Sequence, residues 1–201
     1  MSLQVKNLNT DIFHNLNFTI SNQGIFGIIG RNGVGKSTLF SIINKEVLIK
    51  SGGLQCGRIS YIPNLDIFDK HLAAQDYVNL LSSDEKKRFN FYLKQMGGAD
   101  YLKKKIGKYS LGMKELFTFV YSLSINSDVL ILDELLDGLD ETRRFRAYQI
   151  LKEHSREKII LFTSHNLSEV FSVCDTVFLL EMNGLKEIKQ PDVAREFLLE
   201  K

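Results

Sequence analysis

Proline occurs only at Pro63 and Pro191, and cysteine only at Cys56 and Cys174, in the 201 residues. The chain therefore offers neither a Pro-rich linker between domains nor a disulfide framework, and the two thiols lack metal-ligand spacing. No stretch of about 18 apolar residues occurs, so the sequence carries no candidate membrane span. Residues Met1 to Asp11 lack the basic start and apolar run of a signal peptide. The expectation is a cytosolic protein with reduced thiols, Cys174 packed in the interior. A surplus of one charge is also missing: 26 Lys and Arg face 24 Asp and Glu, for a formal net charge of +2. Dedicated nucleic-acid binders show a concentrated basic excess, so nucleic acid is not an expected partner. The cluster Lys103, Lys104, Lys105 and Lys108 reads as a solvated face.

What is present is ordinary globular composition, 44% hydrophobic and 25% charged. At this length roughly 70% of the unfolded chain's surface can be buried, which suits one fold unit with an inserted subdomain. Residues 3 to 8 and 13 to 20 alternate polar and apolar side chains, the pattern of two half-exposed antiparallel strands. Ile25-Phe26-Gly27-Ile28-Ile29 is instead continuously apolar, as are Val129 to Leu132 and Ile159 to Phe162. Such runs belong to strands covered on both faces of a parallel sheet. Leu39, Phe40, Ile42, Ile43 and Val47 then mark one helix face, and Leu167, Val170, Phe171 and Cys174 another, with Asn166 and Glu169 as the second helix's expected cap. The pattern predicts an α/β domain with a mainly parallel sheet. Its core comprises residues 1–67 and 126–201, and a charged, helical subdomain with turn signals at Ser82-Ser83 and Gly97-Gly98 is inserted over 68–125.

Gly30-Arg31-Asn32-Gly33-Val34-Gly35-Lys36-Ser37 fits the phosphate-loop pattern G-x-x-x-x-G-K-[ST] between a predicted strand and a predicted helix. The glycines let successive N–H groups turn inward around anionic oxygens, and the helix N-terminus adds its positive end. Lys36 is expected to reach the β and γ phosphates, Ser37 to ligate Mg²⁺, and Thr38 to meet the α phosphate region. Val129-Leu130-Ile131-Leu132-Asp133-Glu134 delivers two acids at the end of another apolar strand. Asp133 is placed to hold Mg²⁺ through water, and Glu134 to orient or deprotonate the water that attacks the γ phosphate.

With these elements in place, nearly the whole chain resembles an ATP-binding cassette (ABC) ATPase, the P-loop nucleotide-binding subunit of a transporter. Tyr109-Ser110-Leu111-Gly112-Met113-Lys114 is similar to the family's signature motif. The resemblance implies that Ser110, Gly112 and Met113 contact ATP held by a second protomer. By its own chemistry Ser110 is also an N-cap for a helix from 111 to about 125. The motif departs from Leu-Ser-Gly-Gly-Gln, with Glu115 and Leu116 following where such cassettes often have Gln and Arg, and is similar to signatures of drug, bacteriocin and lantibiotic exporters and immunity systems. Asp137-Gly138-Leu139-Asp140 resembles the D-loop that links the two ATP sites, with Asp140 also a helix cap. Thr163-Ser164-His165 resembles the segment carrying the switch histidine, which contacts the γ phosphate. Asn64 stands where the family has a glutamine that touches Mg²⁺. The aromatic residue that stacks on adenine, expected within residues 7 to 10, is missing, with Phe13 the nearest candidate and a core residue by pattern.

The resemblance implies a peripheral subunit on the cytoplasmic face of the membrane. It pairs with a second cassette and a separate permease, uses ATP and Mg²⁺, and drives transport, with export favoured by the signature form. The alternatives are a soluble cassette acting outside transport, a degenerate ATP-binding half of a heterodimer, and a P-loop small-molecule kinase. The last would leave residues 109–114 and 137–140 unexplained.

Overall fold

The computed structural model describes residues 2–98 and 101–199, and among them two sheets carry the fold. The alternating N-terminal segments form β1 (Leu3–Asn9) and β2 (Leu16–Ile20), paired antiparallel, with β4 (Ser51–Gln55) on the other edge of β1. The second sheet has the order β5-β6-β7-β3-β8-β9. Here β3 is Gly24–Ile29, β5 Ile59–Tyr61, β6 Val129–Asp133, β7 Ile159–Thr163, β8 Thr176–Leu180 and β9 Leu185–Glu187. β5, β6, β7, β3 and β8 run parallel, and β9 returns antiparallel along β8. Every residue of β3 and β7 is buried, the burial expected of strands covered on both faces.

Helix α1 (Lys36–Ile43) follows β3 directly and buries Leu39, Phe40, Ile42 and Ile43. Val47 is not part of this helix. The chain turns at Lys45, whose φ is +63°, and Val47 is 39% exposed. Three helices occupy the middle of the chain: α2 (Ala74–Leu80), α3 (Ser83–Gln95) and α4 (Leu111–Ser124). The Ser82-Ser83 pair starts α3 rather than marking a loose turn. Ser82 Oγ accepts the Glu85 N–H, and Glu85 Oε2 accepts the Ser82 N–H, a reciprocal capping box. Gly97, at φ +69°, ends the same helix. α4 packs along α3 and also against β5 and β6, and one apolar cluster runs from Phe89 and Phe117 to Ile25 and Leu132.

The remaining helices are α5 (Glu141–His154), α6 (Leu167–Val173) and α7 (Pro191–Leu199). Asn166 caps α6 through the Ser168 N–H, but Glu169 does not complete a box. Its carboxylate turns to Arg144 at 2.6 Å and Tyr148 at 2.9 Å, tying α6 to α5. Burial raises the Glu169 carboxyl and the Arg144 and Tyr148 bonds lower it, the net direction being down. Cys174 is half-buried, and burial pushes its thiol up to about 12. No helix among the described residues is long and apolar enough to cross a membrane.

Candidate functional site

The parallel order sets the carboxyl ends of β3, β7 and β6 side by side, and each ends in a polar segment. From β3 comes the loop Gly30 to Lys36, which leads into α1. Gly33 and Gly35 have φ of +80° and +105°, values closed to ordinary side chains. Gly30 has no such φ. It is required for space, since a methyl there would stand 2.8 Å from Val34 Cγ1. Phe13 is fully buried, with its ring edge 2.9 Å from where a Cβ on Gly35 would lie, so it supports the loop from beneath and is not exposed for stacking on a base. The Lys36 ammonium donates to the Gly30 carbonyl at 2.9 Å and reaches the Arg31 carbonyl at 3.4 Å.

From β6 come Asp133 and Glu134. Asp133 Oδ2 accepts the Ser37 hydroxyl at 2.7 Å, and Oδ1 accepts the Thr163 hydroxyl of β7 at 2.8 Å. The Tyr61 hydroxyl also approaches Oδ2, at 3.5 Å, and burial together with Asp133 raises this phenol so that it stays a neutral donor. Glu134 has a φ of +55°, a left-handed conformation that costs a non-glycine residue of order 1–3 kcal/mol. The Thr163 hydroxyl accepts the Glu134 N–H at 2.9 Å and holds it there. The resulting turn aims consecutive carboxylates in different directions. Glu134 Oε2 meets His165 Nε2 at 3.0 Å, while Asp133 faces Ser37.

These elements enclose a cavity of about 480 Å³ lined by Gly30, Arg31, Asn32 and Lys36 on one side and Glu134, Ser164 and His165 on the other. The positively charged loop and the acid–imidazole pair thus confront each other across one space, as phosphoryl transfer from an anionic donor to water requires. Ser37 and Asp133 together present a hydroxyl and a carboxylate, hard oxygen donors that suit Mg²⁺ and leave its remaining positions to water and phosphate. Asn64 lines a small neighbouring pocket with Asp133 and Glu134, yet its carboxamide oxygen accepts the Asp66 N–H at 2.9 Å. It caps its own turn and does not bond Ser37 or Asp133.

Other expected residues lie elsewhere. Ser110 caps α4 by accepting the Met113 N–H at 3.3 Å, and Ser110, Gly112 and Met113 do not line the loop's cavity. Asp140 caps α5 through the Arg143 N–H at 2.9 Å. Three residues that stand in or beside the motifs without a role assigned from them join the site: Thr163, Asp137 and Glu115. Asp137 accepts the Ser164 hydroxyl at 3.0 Å and the His165 N–H at 3.3 Å, fixing the histidine's backbone. Glu115 accepts the Gly138 N–H at 2.7 Å, and burial pushes its carboxyl up to about 7 against the opposing pull of that N–H.

Comparison with known proteins bears on the family and the fold. The model of the family described as ABC transporter matches residues 13–137, more than half of the chain. The ATP-binding protein BexA of Haemophilus influenzae is 28% identical over 194 residues, spanning 92% of this chain and 88% of that protein. The ABC transporter ATP-binding protein YtrB of Bacillus subtilis is 26% identical over 201 residues, spanning 92% of this chain and 69% of that protein. A solved structure of the ATP-binding subunit of an ABC transporter superposes with a TM-score of 0.85 at 20% identity, covering 98% of this chain and 93% of that one, a likeness of fold.

Proposed function

The chain belongs to the ABC transporter family and is an ATP-binding, ATP-hydrolysing subunit of a transport system; on that premise we propose how its residues divide the work. Residues 1–67 and 126–201 form the nucleotide-binding core and 68–125 the helical insertion. The observation that carries the reading is the convergence of Lys36, Glu134 and His165 on one cavity beside the Ser37–Asp133 pair. The amides of Gly30 to Thr38 and the Lys36 ammonium bind the phosphates and offset charge that builds on the transferring group. Ser37 and Asp133 would hold Mg²⁺, which would neutralise phosphate charge, and Asn64 would join them only by giving up its cap on Asp66. Glu134 takes the proton of the attacking water, with His165, 3.0 Å away, fixing its carboxylate.

Lys36 lines the cavity and Ser110 does not, which supports two cassettes closing head to tail around ATP. Ser110, Gly112 and Met113 of one then face the phosphates bound by the other, and Asp140 lies near the shared boundary. With no membrane-crossing helix among the described residues, a separate permease supplies the path. The subunit works at the cytoplasmic face, and the signature Tyr109-Ser110-Leu111-Gly112-Met113 favours export of a drug or peptide.

Two substitutions test the assignment. Lys36→Ala is expected to weaken ATP binding by at least about tenfold, the loss of a charged hydrogen bond. Glu134→Gln is expected to bind ATP as wild type does and to hydrolyse it roughly 10²–10⁴-fold more slowly, the usual worth of a general base. Equilibrium ATP binding and phosphate release measured on both proteins separate the roles. Wild-type turnover in Glu134→Gln would refute the base assignment.

A further inference from the structure

The loop that joins β6 to α5 is gripped at Gly138 by two residues of α4. The Gly138 N–H donates to Glu115 Oε2 at 2.7 Å, and a methyl on Gly112 would stand only 3.0 Å from the Gly138 carbonyl oxygen. A methyl on Gly138 itself would meet Glu115 Oε1 at 2.7 Å and Cδ and Oε2 at 2.9 Å. The carboxyl group therefore lies flat against the glycine, and the close approach on both sides depends on the missing side chains at 112 and 138. Glu115 is 4% exposed, and no ion pair reaches it among the described residues. Asp137 and Arg144, of opposite sign, are the charged groups whose fields reach it. A carboxyl buried for a single backbone bond is a costly choice for filling space, because an apolar side chain of similar size would pack there without desolvation.

The contacts continue on the far side of the glycine. Asp137, one residue earlier, accepts the Ser164 hydroxyl and the His165 N–H, and His165 touches Glu134. A contiguous chain of bonds thus runs from the first turns of α4 through Glu115, Gly138 and Asp137 to the histidine at the cavity.

We propose that Glu115 is a positioning residue whose carboxyl clamps the 136–139 loop to α4, so that Ser110 and His165 of one protomer shift together. The inference rests on the head-to-tail reading above, in which Ser110 serves the partner's ATP and His165 serves the chain's own. The clamp then makes each site's geometry depend on closure of the other. Its physical content is a rigid link between two segments that would otherwise move separately.

The test uses the full chain and four variants: Glu115→Ala, Glu115→Gln, Gly138→Ala, and the double Glu115→Ala/Gly138→Ala. Glutamine keeps an oxygen acceptor at the same reach, whereas alanine removes it. Hydrogen exchange of the ATP-free proteins comes first. Amides at 136–139 are expected to exchange about tenfold faster in Glu115→Ala and Gly138→Ala, the size of one lost net hydrogen bond, and at wild-type rates in Glu115→Gln. In steady-state hydrolysis, Glu115→Ala is expected to lower kcat about tenfold, to leave KM for ATP within about twofold, and to lack the cooperativity in ATP that the proposed coupling gives the wild type, with Glu115→Gln behaving as wild type in all three. The double variant is expected to be no slower than either single, since both break one contact and the smaller side chain makes room for the added methyl.

Unchanged exchange in Glu115→Ala overturns the clamp. So does a loosened loop with wild-type kcat, a kcat loss that glutamine fails to rescue, or an additive double variant. Failure of the head-to-tail reading is seen separately, as absence of an ATP-dependent dimer in Glu134→Gln, and leaves the exchange result standing on its own.

Discussion

The Thr163 hydroxyl makes two bonds at once, joining both acids: it donates to Asp133 and accepts the amide of Glu134. Thr163→Val keeps the branched shape that a buried strand favours and removes both bonds. One part-buried amide then loses its partner, at a cost of about 1 kcal/mol, and Glu134 loses the anchor for its left-handed backbone. The expected result is a roughly tenfold lower kcat with a modestly lower melting temperature, checked by steady-state hydrolysis beside thermal unfolding. Asp133, Glu134 and His165 were legible in the sequence because each follows an apolar strand, where a polar residue stands out. Thr163 was not, since threonine at a strand end is unremarkable until the register sets it opposite Asp133. Asn64 stands in the motif where the family's metal-touching glutamine lies, and its role as the cap of its own turn shows only in the fold. That competition between local and distant partners is settled only when the chain folds.

Among the elements, β3 and α6 approach closely at Gly27. A methyl on Gly27 would lie 2.5 Å from Val170 Cγ1 and 3.1 Å from Cys174 Sγ. Gly27→Ala is therefore expected to destabilise the protein by about 1–3 kcal/mol, the cost of overpacking, visible as a lower denaturant midpoint with an unchanged m-value. The apolar strands β3, β6 and β7 could be read directly, because burial on both faces leaves a continuous hydrophobic run. β4 could not: Ser51-Gly52-Gly53-Leu54-Gln55 has no such run and is a strand only because β1 offers an edge to pair with. Val47 fell on the apolar stripe of α1 by spacing alone, and the turn at Lys45 ends the helix before reaching it. Periodicity describes which residues could share a face, while helix ends are set by backbone hydrogen bonds such as that from the Lys45 N–H to the Ile42 carbonyl.

For the whole molecule, the proposed head-to-tail pairing carries the account. The cavity is lined by the loop, Glu134 and His165, whereas Ser110, which caps α4, does not line it. On the proposed reading, two copies related head to tail, or one copy and a related cassette, would share ATP between the loop of one and the Ser110 end of the other. The most direct test is sedimentation velocity of Glu134→Gln, which traps bound ATP, at saturating Mg²⁺ and ATP and again without nucleotide. The account predicts a 23.0 kDa monomer without nucleotide and a dimer of the chain with it. A protein that stays monomeric at a concentration where ATP binding is demonstrably complete would contradict the sandwich of two copies.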